Sequence, residues 1–111
     1  VGAGQNSDCI PKAANYDAFF AAARTPSLLV VLQDTGHFSV LNDQSGLLSS
    51  VCSSGSANGQ AVRDATAEML LHWGDACVSW QSEAESGLVA QLQEICVGHG
   101  LRNLVQSKLQ G

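Results

Sequence analysis

Basic residues are scarce in this chain. Of 111 residues only five are Lys or Arg, against ten Asp or Glu, for a formal net charge of −5. Lys12, Arg24, Arg63, Arg102 and Lys108 are scattered rather than clustered. Nucleic-acid binding draws its affinity from phosphates neutralised by grouped cations, and attraction to an anionic membrane surface needs a similar patch. Neither partner is expected; a neutral or amphiphilic small molecule is easier to accommodate. Long apolar runs are missing as well. No stretch approaches the roughly 18 residues that cross a bilayer, so no transmembrane segment is expected. Val1-Gly2-Ala3-Gly4 has none of the charged and hydrophobic regions of a signal peptide, and any targeting segment is expected to lie outside this sequence.

The four cysteines, Cys9, Cys52, Cys77 and Cys96, form no C-x-x-C pair and no zinc-ligand spacing with a histidine. No metal site and no cofactor are therefore expected. Two disulfides fit the count, and so do buried thiols in a reducing compartment, because free cysteine is itself a strongly buried residue type. What the chain does have is apolar content: 45% of its residues, enough for one small domain if those positions can meet.

The chain opens as the end of a strand running into a Gly-rich turn, then Asp8-Cys9-Ile10-Pro11, where proline forbids an inner strand position. Asn15 is a suitable N-cap for a helix from Tyr16 to Arg24, with Phe19, Phe20 and Ala23 at helical spacing and Pro26 helping to end it. Leu28-Leu29-Val30-Val31-Leu32 is apolar without alternation, the pattern of a strand buried on both faces in a parallel sheet. Only one complete strand and the stump of another are expected, with the rest of the sheet missing or supplied by another chain. Residues 43 to 60 form a Ser-, Gly- and Asn-rich loop pinned by Leu47, Leu48, Val51 and Cys52. From Gly59 to Trp80 a helix carries Val62, Ala65, Met69, Trp73, Ala76, Cys77 and Trp80 on a 3.6-residue period. A second helix opens with Ser82 and Glu85 spaced as a capping box and aligns Leu88, Val89, Leu92, Ile95 and Cys96. Gly98-His99-Gly100 interrupts it, and Leu101, Leu104, Val105 and Leu109 suggest a short last helix. The expected division is 1–80 as the body and 81–111 as a helical extension.

Asp34-Thr35-Gly36-His37 turns away at the C-terminal end of the buried strand, the edge where open α/β sheets place ligands. Serine hydrolases of the α/β class order their groups as nucleophile, acid, histidine, and His37 suits the last. Imidazole titrates near neutrality, so it can take the serine's proton and return it to a leaving alcohol. Asp8 is the candidate acid, 29 positions earlier, about one helix plus one strand; an acid there would fix the histidine's tautomer. Each has a plainer reading as a turn residue, which also covers Asp34 and Asp43. No G-x-S-x-G occurs. Ser7 stands too near the start, Ser45 follows His37, and Ser49 to Ser56 read as loop, so a complete active site is expected to include sequence outside this chain. His72 and His99 are expected to be structural or solvent-facing, and Trp73 and Trp80 to pack in the core.

Cys9-x-Pro11, Asn15, Phe19-Phe20, Pro26, Gly36-His37 with Leu41-Asn42-Asp43, Val51-Cys52 and Arg63 occur in the order shown by chlorophyllases, and residues 1 to 75 resemble that family. The resemblance implies the C-terminal fragment of an α/β-hydrolase fold, its last one or two parallel strands plus helices. It further implies a serine esterase acting on a large amphiphilic ester such as the phytyl ester of chlorophyll, with a chloroplast location. His37 would be catalytic, opposite an upstream Gly-His-Ser-x-Gly-Gly elbow, and Cys9 would pair with Cys52. Ser39 and Asn42 depart from the acidic residues common in the plant enzymes. Asp8 with Ile10-Pro11 is more similar to the acid loop of polyester- and cutinase-type hydrolases, whereas chlorophyllases take their acid from an earlier strand. The alternative is a non-catalytic hydrolase-like scaffold that binds a pigment, lipid or protein partner.

Overall fold

A computed structural model describes residues 1–4, 15–37, 39–41, 55–79 and 85–109. Among them the chain runs β1 (Gly2–Ala3), α1 (Tyr16–Ala22), β2 (Ser27–Leu32), α2 (Gly59–Val78), α3 (Glu85–Gly98) and β3 (Asn103–Lys108). The three strands form one mixed sheet in the order β1-β2-β3. β1 runs parallel to β2, Gly2 beside Val31, and β3 runs antiparallel to it, Ser27 beside Lys108 and Leu32 beside Asn103.

The expected all-parallel sheet is thus corrected, and so is the expected last helix: residues 103–108 are a strand. Two helices cause the reversal. A single crossover helix returns the chain for a parallel strand; the α2–α3 hairpin turns it once more, and the following strand arrives antiparallel. The period was ambiguous because Leu101, Val105 and Leu109 are four apart. That spacing marks one helix face and, being even, also one strand face. Leu101 and Leu109 are buried while Leu104, which only a helix would bury with them, is exposed.

β2 is buried along Leu29, Val30, Val31 and Leu32, as its unbroken apolar run requires. Leu28, Val30 and Leu32 point to the side of α2 and α3, where Val62, Ala65 and Met69 of α2 meet Leu88, Leu92, Ile95 and Cys96 of α3 in one cluster. Leu101 and, less deeply, Val105 join it, so residues on both sides of position 80 share this core. Leu29 and Val31 point the other way. Gly2, the register partner of Val31, lies under Tyr16 so closely that a Cβ there would stand 2.8 Å from the ring, which places α1 over that face.

The helix ends follow local chemistry. The Asn15 side chain accepts from Tyr16 N and starts α1; Asn58 accepts from Ala61 N and starts α2. α3 ends in a Schellman motif: Gly100 N donates to Val97 O and Leu101 N to Cys96 O, both at 2.9 Å. Gly100 has φ +73°, and buried Leu101 and Cys96 supply the apolar contact of that motif. α1 has no basic residue in its last turn. The carbonyls at its C-terminal end are served instead by Lys108 of β3, whose Nζ donates to the oxygens of Phe20, Ala21 and Ala23 and stands 4.7 Å from the centre of the Phe20 ring.

Candidate functional site

Beyond Leu32 the chain bends sharply, with Asp34 at φ +58°, a left-handed conformation that aspartate tolerates better than most residues. Four contacts hold the bend. Arg102 donates from Nε and Nη2 to Asp34 Oδ2 at 3.0 and 2.8 Å, and its carbonyl accepts from Gln33 N at 2.9 Å. The Asp34 carbonyl accepts from Ala57 N at 2.9 Å. Gly55 passes so near that a Cβ would lie 2.1 Å from that same carbonyl oxygen, and its φ is +71°. Glycine is required there twice over, for conformation and for space.

Gly36 and Ser39 then close a tight turn around His37. Ser39 N donates to Gly36 O at 3.1 Å, and Gly36 N donates to Ser39 Oγ at 2.9 Å. Ser39 is buried, which makes its hydroxyl a brace for the turn. Arg63 of α2 donates from Nη1 to Leu41 O at 3.0 Å and from Nη2 to Gln60 Oε1 at 2.9 Å, tying the far side of the loop to the first turns of that helix. His37 sits exposed on this braced turn, just past the C-terminal end of β2. An imidazole so placed can meet a ligand without the backbone first having to order, since the entropy of fixing the turn is spent in folding.

Asp8, the candidate acid, lies outside the described residues, as do Cys9, Asp43, Leu47, Leu48, Val51 and Cys52. Asp34 serves as a bend residue whose carboxylate is occupied by Arg102. The other two histidines are elsewhere. His99 Nε2 stands 3.0 Å from Glu68 Oε2, a contact that links the C-terminal end of α3 to α2. His72, half-buried, lines the shallow groove beside that pair together with Gln91 and Glu94. Among the described residues no three His, Cys, Asp or Glu side chains are grouped to hold a metal, and no helix is long and apolar enough to cross a membrane.

Cys77 is an exposed thiol and Cys96 a buried one. The Cys96 sulfur lies 3.6 Å from that of Met69, and burial pushes its pKa up. Trp73 is half-buried against the core, as expected; Trp80 lies outside the described residues. Trp73, Met69, Leu70, Leu28 and Leu92 line an apolar cleft of about 170 Å³. That cleft opens near the start of β2, at the opposite end from His37, and among the described residues that line it there are no convergent polar side chains to orient a ligand.

The chain matches no protein-family model, no curated protein and no solved structure. Sequence reasoning located His37 and its strand; it did not find Arg102, Gly55 or the bracing role of Ser39. Only Gly55 had a local signal, a glycine among serines, and nothing there distinguished it from a flexible loop.

Proposed function

We propose that this chain is the histidine-bearing part of a carboxylic-ester hydrolase of chlorophyllase type, acting on a large amphiphilic ester, with the serine nucleophile supplied from outside the chain. The observation that supports this reading best is an exposed histidine on a braced turn at the C-terminal end of a buried strand, itself paired in parallel with β1. His37 would take the serine's proton as its oxygen attacks the ester carbonyl, then give that proton to the departing alcohol. A water, activated in turn by His37, would release the acid from the acyl-enzyme. Asp8 is assigned the orienting role on the other ring nitrogen. The family resemblance of residues 1 to 75 supplies the substrate class.

The test is kinetic, in the complete parent protein. His37→Ala should lower kcat by about six orders of magnitude, as loss of the triad histidine does elsewhere. Asp8→Asn should keep the fold and cost a large factor in kcat because the amide selects the wrong tautomer. An unchanged kcat in His37→Ala would remove His37 from the catalytic site, a parent protein with no turnover of amphiphilic esters would leave a hydrolase-like scaffold that binds only, and an unchanged kcat in Asp8→Asn alone would move the acid to another strand. The 111-residue chain by itself should hydrolyse no short acyl ester.

A further inference from the structure

β3 is an outer strand, and the ladder shows where its backbone groups point. Gln33 N donates to Arg102 O, so 33 and 102 form a hydrogen-bonded pair. By the alternation of an antiparallel ladder, Val31 with Leu104, Leu29 with Gln106 and Ser27 with Lys108 are bonded pairs too. Asn103, Val105 and Ser107 therefore aim their N–H and C=O groups away from β2. Among the described residues no strand lies beyond them.

Sheet edges are commonly blunted by shortness, proline or projecting lysines. The β1 edge is two residues long. β3 has six residues and no proline, and the cations at its ends are engaged within the fold: Arg102 on Asp34 and Lys108 on the carbonyls of α1. Between them Leu104 is 57% exposed, and Gln106 and Ser107 are exposed and uncharged.

We propose that β3 pairs antiparallel with β3 of a second copy of this chain, about a twofold axis at Val105. Val105 then faces its own counterpart, and Asn103 faces Ser107 of the second copy, so the three outward residues satisfy one another without remainder. The register keeps side-chain faces continuous. Val105 stays on the α2 and α3 side in both copies, and Leu104 gains Gln106 of the second copy as its cross-strand neighbour. Arg102 comes opposite Lys108 of the second copy, a like-charge placement that is tolerable because each cation is already bound in its own protomer. The two sheets merge into one of six strands, three from each copy.

Light scattering and sedimentation from about 1 μM to about 1 mM, the range of weak to moderate association, should show the mass of the 111-residue chain doubling with concentration. Hydrogen exchange should show the amides of Asn103, Val105 and Ser107 gaining protection as the dimer forms, while those of Leu104 and Gln106 are protected throughout. Ser107→Pro removes one outward N–H without touching the β2 ladder and should hold the chain monomeric with an unchanged circular dichroism spectrum. Leu104→Lys should do the same by restoring a projecting charge. A chain that stays monomeric at the top concentration overturns the proposal. So does protection of the three outward amides in the monomer, since another part of the chain would then cover the edge, and so does undiminished dimerisation of Ser107→Pro.

Discussion

The two sides of β2 are held by different physics. Towards α2 and α3 lies a continuous apolar cluster in which many contacts share the load. At the C-terminal end, around His37, the chain is held by a few polar contacts: Arg102 on Asp34, Ala57 on the Asp34 carbonyl, Ser39 on Gly36 and Arg63 on Leu41. The core supplies most of the stability because burial scales with area. The bend supplies position, because hydrogen bonds are directional while each adds little net free energy. Substitutions in the two regions should therefore separate stability from placement of the histidine.

The largest effect on stability should come from Leu92→Ala. Leu92 is 2% exposed and sits between β2 and α2, and such a truncation costs about 2–5 kcal/mol including the cavity left behind. The midpoint of urea denaturation should fall, with the His37 imidazole resonances of the folded fraction unmoved. If those resonances move as far as they do in a bend variant, core and bend are not independent.

Gly55→Ala should come next. The new Cβ would meet the Asp34 carbonyl oxygen at 2.1 Å, and the backbone would still need φ +71°. Relief demands opening the bend or leaving the left-handed region, at a cost of about 1–3 kcal/mol. Here the His37 resonances should shift along with the denaturation midpoint. A variant as stable as the parent with unmoved resonances would mean that the close approach of 55 to 34 does not hold the turn.

The same contrast governs what could be read from the sequence. β2, α2 and α3 were legible because each buries a stripe or a run that repeats in its own period, and α1 because Asn15 is a local cap; α1 itself buries no residue and leaves Phe19 exposed. Leu88, Leu92, Ile95 and Cys96 lie buried where the period put them. β3 was misread because residues four apart satisfy both periods. The bend was opaque for another reason: Arg102 reaches Asp34 across 68 positions, and Lys108 reaches the end of α1 from 88 positions after Phe20. Such pairings are consequences of the tertiary fold, and no local pattern announces them.

Cysteine chemistry gives a sharper contrast within the helical layer. Cys77 is exposed near the end of α2, while Cys96 is wholly buried beside Met69, with its thiol pKa raised by desolvation. Alkylation at neutral pH followed by peptide mapping should modify Cys77 quickly and Cys96 only on unfolding, since the thiolate is the reactive form. A raised folded pKa also fixes a sign. The stability from keeping this thiol neutral is complete below its unfolded pKa and is lost as pH rises from there through the folded value. Cys96→Ser should flatten that alkaline decline, at some cost to packing.

The smallest expected change in stability is also the most specific test of the bend. Arg102 and Asp34 form an ion pair with 71% of the arginine side chain and 35% of the aspartate side chain exposed. Solvent screening holds such pairs to about 0–1 kcal/mol. Asp34→Asn should therefore leave the denaturation midpoint nearly where it was, because the amide oxygen can still accept from the guanidinium and asparagine tolerates positive φ as well as aspartate does. Asp34→Ala removes both advantages. It should cost more stability than Asp34→Asn and should broaden or shift the His37 resonances, as the turn loses its anchor to Arg102. A double-mutant cycle with Arg102→Gln isolates the pair itself. If Asp34→Ala alters His37 equally in the presence and absence of Arg102, the backbone conformation of residue 34 holds the histidine and the ion pair is incidental; coupling between the two changes would assign the placement of His37 to the contact between Asp34 and Arg102.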